Sequence, residues 1–215
     1  IYDIANPATP KFIREQTMGI GSLTFSGLAA LGSDYIIASS GGRPSNVGHD
    51  VVVIDRKNIY SLVKVADLDI PSFDAFRGRV AGTTLYLGGI GGGLAVVDLS
   101  TPAQPVTKMV LQTAGDAFGG DASGSTFAVA DGSAGVTFLD ISNPFVPQIS
   151  GTQATGGTVW ATQFSGGALY AVNEQGLVMI DEVAAPVIDR ERITLATNSA
   201  SEVAVTGAAL AIGGV

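Results

Sequence analysis

Residues 94–105 read LAVVDLSTPAQP and residues 136–147 read VTFLDISNPFVP. Each is an apolar run of strand length ended by an aspartate, then a polar turn with two prolines three residues apart. A carboxylate beside Ser, Thr or Asn can accept turn N–H groups, and the prolines halt ladder pairing and set the direction of the following chain. The same signature opens the chain as Asp3-Ile4-Ala5-Asn6-Pro7-Ala8-Thr9-Pro10.

Working outward, five runs end in this aspartate: Ile1-Tyr2-Asp3, Val51 to Asp55, Leu94 to Asp98, Val136 to Asp140 and Leu177 to Asp181. The aspartates are spaced 52, 43, 42 and 41 residues apart, and the long first interval contains an inserted loop, Gly41 to Asp50. An independent column agrees: Gly32, Gly82, Gly124, Gly166 and Gly207 are spaced 50, 42, 42 and 41 apart, each followed by another strand-like run. Glycine-rich connectors such as Asp131-Gly132-Ser133-Ala134-Gly135 join these runs to the Asp-terminated ones, which predicts hairpins. A polar, alternating strand follows each proline turn, for example Val106 to Leu111 or Val187 to Ile193. Four antiparallel strands in about 42 residues, repeated five times without helical periodicity, predict an all-β chain, a β-propeller of four-stranded blades over residues 1–215 as a single domain.

The chain opens on the third strand of one unit and ends where the next Asp-terminated run is due. Pairing of Ile1 to Ile4 beside Leu210 to Gly213 would complete one shared blade and close a five-bladed ring. The other expectation is a longer propeller of which these repeats are a part.

Composition narrows the function. Hydrophobic residues make up 46% and charged residues 14%, enough apolar surface to offset the entropy of ordering. Eleven basic against nineteen acidic residues give a net charge of −8, so the positive field that nucleic acid demands is missing. No apolar run reaches the ~18 residues of a membrane span, so no membrane insertion is expected. With no cysteine, disulfides and thiolate chemistry are excluded.

Candidate chemistry is sparse. The lone His49 supplies neither a zinc ligand set nor an oriented catalytic base, and reads as a solvated loop residue. Gly88-Gly89-Ile90-Gly91-Gly92-Gly93 is followed by a strand rather than a helix and reads as a hairpin turn; Gly119-Gly120-Asp121 also reads as a turn. Asp3, Asp55, Asp98, Asp140 and Asp181 read as turn caps. Eight residues before each repeated glycine stand Thr24, Asp74, Asp116, Thr158 and Ser199, and two residues further on Ser26, Phe76, Phe118, Trp160 and Ser201. At the entrance of innermost strands these columns would ring one axial mouth and make a small-ligand or peptide pocket. Alternatively the aromatics fill wedges between blades and the polar column solvates strand starts. In the inserted loop, Arg43, Asn46, His49 and Asp50 are candidates for partner contact. No catalytic residue, metal site or cofactor is expected.

The Asp-terminated runs, LAVVD and VVVID above all, with DISNPFVP and DLSTPAQP, resemble the LVIVD repeat of bacterial and archaeal surface-associated β-propellers. The resemblance implies a non-enzymatic extracellular or cell-surface module for binding, adhesion or scaffolding, with a protein or an envelope component as partner. Two other classes compete with it: a metal-dependent propeller hydrolase of the lactonase or phosphoesterase kind, for which only Asp74 and Asp116 qualify, and a purely structural segment of a larger surface protein.

Overall fold

The computed structural model describes residues 2–13, 15, 24–41, 49–91, 93–181, 202–206 and 209–213. Described residues form strands and connecting turns. Strands β1 (Tyr2–Asp3) and β2 (Lys11–Phe12) pair with each other. Three four-stranded antiparallel meanders follow. The first is β3 (Thr24–Leu31), β4 (Tyr35–Gly41), β5 (Val51–Asp55) and β6 (Val63–Leu68). The second is β7 (Ala75–Ala81), β8 (Thr84–Gly89), β9 (Gly93–Asp98) and β10 (Val106–Leu111). The third is β11 (Gly120–Ser123), β12 (Thr126–Ala130), β13 (Val136–Asp140) and β14 (Gln148–Gln153). A three-stranded sheet of β15 (Val159–Ser165), β16 (Ala168–Asn173) and β17 (Gly176–Asp181) comes next, then the pair β18 (Glu202–Thr206) and β19 (Ala209–Gly213). The outer strand expected at Val187 to Ile193 lies outside the described residues.

Both repeated columns have physical causes. Gly32, Gly82, Gly124 and Gly166 turn the first hairpin of successive sheets with φ of 57°, 61°, 55° and 62°. An added Cβ there would meet nothing within 4 Å, so glycine is selected for left-handed backbone and not for room. Asp55, Asp98 and Asp140 each use Oδ1 to accept the N–H two residues on, from Lys57, Ser100 and Ser142 at 2.8, 2.9 and 2.8 Å. The residue after each aspartate donates its N–H back to the first hairpin: Arg56 to the Asp34 carbonyl, Leu99 to Thr83 and Ile141 to Ser125. The Asp55 copy lacks the prolines, yet Asn58 closes the same turn through Oδ1 and its carbonyl.

Side-chain alternation then builds a core between each pair of sheets. On β8, Leu85 and Leu87 join Ile37, Val51 and Val53 of the first sheet, while Tyr86 turns the other way onto Phe127 and Val129 of the third. On β12, Ala128 and Ala130 face Leu169 and Ala171 of the next sheet. Central strands are thus buried on both faces and read as continuous apolar runs, whereas β10 alternates exposed and half-buried residues. Tyr86 is fully buried and donates its hydroxyl to the Pro144 carbonyl at 3.0 Å, bolting β8 to the proline turn of the next sheet. Burial pushes its phenol up to about 12, so the hydroxyl stays a donor. Tyr86→Phe should lower stability by about 1–2 kcal/mol, read as a lower urea midpoint at constant slope. An unchanged midpoint would show that the bolt contributes nothing.

The first strands of the sheets lie side by side, β3 against β7, β7 against β11, β11 against β15 and β15 against β18. The ladder expected between Ile1 to Ile4 and Leu210 to Gly213 is not formed among the described residues: β1 pairs only with β2, and β19 only with β18. Ala38, Val52 and Ile54 form an apolar cluster on the side of the first sheet away from the second, and Phe25 and Leu28 are exposed.

Candidate functional site

The site begins with irregularities in the innermost strands. The register shifts between Phe25 and Gly27 in β3, between Ala75 and Gly78 in β7, and between Val159 and Ala161 in β15. A bulge sets two residues against one and re-aims a side chain. The residues in these bulges are Ser26, Phe76 with Arg77, and Trp160, the column seen in the sequence. Phe118 reaches the same level from the segment entering β11, held by its N–H on the Ala130 carbonyl at 2.8 Å.

Three aromatic rings therefore meet across three sheets. Phe76 and Phe118 lie edge to face at 5.5 Å, and Phe118 and Trp160 are tilted at 4.7 Å. The Arg77 guanidinium stands 5.0 Å over the Phe76 ring. Phe118 packs into the core between the third and fourth sheets, and Phe118 and Trp160 also line a cavity of ≈ 590 Å³. Ser26 belongs to the same wall, and its hydroxyl donates to the Phe76 carbonyl.

The polar column behaves differently. Asp116 Oδ1 accepts the Gly91 N–H at 2.7 Å and so pins the β8–β9 hairpin. Asp74 accepts the Ile90 N–H through its carbonyl at 2.9 Å, and Thr158 N–H donates to Glu174 Oε2 at 2.6 Å. Thr24 pairs with Gly41, and Ser199 lies outside the described residues. Asp74, Asp116 and Thr158 do not line the cavity; the column anchors hairpins at strand entrances.

The polar groups that do line it come from deeper in the strands. Arg79 of β7 sets Nε 2.8 Å from Asp121 Oδ1, and Asp121 Oδ2 accepts Gln163 Nε2 at 2.6 Å and the Phe164 N–H at 2.8 Å. One carboxylate, its side chain only 4% exposed, thus ties three inner strands together. This corrects the reading of Gly119-Gly120-Asp121 as a turn, since Gly120–Ser123 is the inner strand β11 itself. Its glycine masked it, and is there because a Cβ on Gly120 would collide with the Ala128 carbonyl. The missed signal is positional: Arg79, Asp121 and Gln163 each stand three residues before the repeated glycine.

In the inserted loop Arg43 and Asn46 lie outside the described residues. His49 is not a freely solvated side chain: its Nδ1 stands 3.3 Å from Asp67 Oδ1. Asp50 is 1% exposed, and its Oδ2 accepts the Ile70 N–H at 2.6 Å, a structural tie beneath the surface. Buried Asp131 does similar work, accepting Thr113 Oγ1 and Thr137 Oγ1 at 2.6 and 2.7 Å. Among the described residues no three His, Cys, Asp or Glu side chains converge to hold a metal ion.

The turn aspartates carry the acid sensitivity. The Ser100 N–H and hydroxyl, then Lys108, hold the Asp98 carboxyl at about 2, and the Ser142 groups pull Asp140 down likewise. A carboxyl depressed on folding contributes stability that is fully present above its ordinary value near 4 and is lost as pH falls through the folded value. The urea midpoint should therefore fall from pH 4 toward pH 2, and less steeply in the Asp98→Asn, Asp140→Asn double variant. Equal slopes would show the caps to be energetically idle.

Residues 79–113 and 115–155 match the LVIVD repeat, one segment within the second sheet and one spanning the third. Curated protein sequences offer no match. Among solved structures, the computationally designed Ika8 protein superposes with a TM-score of 0.64 at 13% identity over 89% of this chain, which spans 55% of the designed one. The designed Ika4 protein gives 0.56 at 15% identity, covering 78% of this chain and 98% of the other. Glutaminyl cyclase of Myxococcus xanthus gives 0.54 at 16% identity, covering 94% and 90%. At these identities the likeness speaks for the fold alone. With two segments that match the LVIVD repeat and antiparallel, blade-like sheets in succession, the chain is similar to LVIVD-repeat proteins over residues 79–155 and has a β-propeller-like fold.

Proposed function

We propose that the chain is a five-bladed β-propeller acting without catalysis as a binding module outside the cell or at its surface, where a protein or envelope component presents a small group to the axial cavity. The observation that carries this reading is the ≈ 590 Å³ cavity bounded by residues of four inner strands, with aromatic walls and a few oriented polar groups. That volume and composition suit a small ligand. Closure would come from the two incomplete sheets. β18–β19 has the place of the first two strands of a blade and β1–β2 that of the last two, so β19 beside β1 makes four. The exposed Phe25 and Leu28 of β3 offer apolar surface that such a blade would cover.

Trp160 is the only tryptophan and lines the cavity, so its emission reports occupancy. In a panel of monosaccharides, amino acids and small organic acids, at least one class should change that emission saturably and raise the melting temperature in parallel. Silence in both readouts across the panel would contradict a binding role for this cavity.

A further inference from the structure

Asp121 Oδ2 accepts Gln163 Nε2 and the Phe164 N–H, while the buried Oδ1 stands 2.8 Å from Arg79 Nε in an ion pair that lacks hydrogen-bond geometry. Its effect is on Arg79. The ion pair holds the guanidinium beside Asp121 on its Nε side and leaves the two Nη groups as a fork. Among the described residues neither Nη of Arg79 meets a protein partner, and the side chain is 50% exposed on the cavity wall. Arg77 also lines the cavity, its guanidinium over the Phe76 ring. Trp160 and Phe118 form the adjoining apolar wall.

We propose that the cavity binds a small organic oxyanion, a carboxylate or a phosphate monoester with a planar or apolar body, its oxygens taken in bidentate fashion by Arg79 and its body lying against Trp160 and Phe118. This rests on the binding role proposed above and names its ligand class. Guanidinium forks match the two oxygens of such groups, and the hydrogen bonds are charge-assisted. Asp121 is a positioning residue: it holds Arg79 in register between β7 and β15 and touches no ligand.

The test is Trp160 emission titrated with benzoate, phenyl phosphate and neutral benzamide. Benzoate or phenyl phosphate should bind saturably, the one that binds telling carboxylate from phosphate, and benzamide should bind at least about tenfold more weakly. Arg79→Met retains the stem and removes the fork; being half-exposed it should fold, and it should weaken the oxyanion by about tenfold or more. Arg79→Lys should recover only part of this, because an ammonium has no fork. Undiminished oxyanion binding in Arg79→Met overturns the inference. So does tight benzamide binding without oxyanion binding, which would leave the cavity a ligand site of another class. No response to these probes or to the wider panel removes both proposals.

Discussion

Asp121→Ala is expected to destabilise the chain by about 3 kcal/mol. Removing one member of a buried ion pair typically costs about 3–5 kcal/mol, because the other charge is stranded. Arg79 is half-exposed and can be rehydrated, so the charge term falls at or below the low end of that range. The Phe164 N–H loses its acceptor as well, at about 1–3 kcal/mol for a group left buried and unpaired, while Gln163 Nε2 keeps the Phe164 carbonyl at 3.3 Å. For a chain of this length about 3 kcal/mol corresponds to a fall of roughly 6–12 °C in melting temperature. Calorimetry on Asp121→Ala and Asp121→Asn measures it, and asparagine should fall between alanine and wild type because it keeps an acceptor. A loss under about 1 kcal/mol in the alanine variant would mean that the link between the inner strands is not made in solution.

The second large effect is expected at Gly88, where the second sheet closely approaches the segment entering the third. A Cβ there would run into the Ala117 carbonyl and stand 2.6 Å from the Gly119 nitrogen, both of them backbone atoms that no rotamer change can move. Overpacking of this kind typically costs about 1–3 kcal/mol, and with backbone on the receiving side Gly88→Ala should reach or exceed the top of the range. Gly82→Ala makes the comparison. Its site is open but left-handed, at φ 61°, so only the local conformational penalty of about 1–2 kcal/mol applies. Urea unfolding of the two variants should therefore rank Gly88→Ala as clearly the worse. The reverse order would mean that β8 and the entrance of β11 do not approach each other as described.

The repeat was legible because its two columns perform the same act in successive units, at Gly32, Gly82, Gly124 and Gly166 and at Asp55, Asp98 and Asp140. The glycine takes a left-handed turn and the aspartate caps one, and neither act depends on what a neighbouring sheet contributes. The aromatic column was legible for a related reason, since a bulge recurs at the same place in β3, β7 and β15. The polar arrangement of the cavity was not. Arg79, Asp121 and Gln163 differ in chemistry, stand in three different repeats, and acquire a common role only where β7, β11 and β15 lie side by side. Asp74 and Asp116 drew notice as carboxylates at strand entrances, but Asp116 is taken up by a hairpin N–H one sheet away, a partner that no spacing rule indicates. The inserted loop misled similarly: Asp50 looks like part of an exposed insertion and is in fact buried, bound to the Ile70 N–H.

Closure of the ring is tested most directly by a disulfide between the two incomplete sheets, for which a chain without cysteine is a clean background. In the complete sheets the second residue past the turn glycine faces the terminal aspartate, as Thr84 faces Asp98 and Thr126 faces Asp140. Continuing that register sets Ala209 opposite Asp3 and Leu210 opposite Tyr2. The Tyr2→Cys, Leu210→Cys double variant should oxidise to an intramolecular disulfide in high yield, while Tyr2→Cys with Ala209→Cys, displaced by one residue onto the opposite face, should not. A mass two hydrogens lighter, with the two peptides linked in the digest of the first variant alone, is the result a ring closed through β19 and β1 predicts. Free thiols in both variants, or equal cross-linking in both, would contradict it.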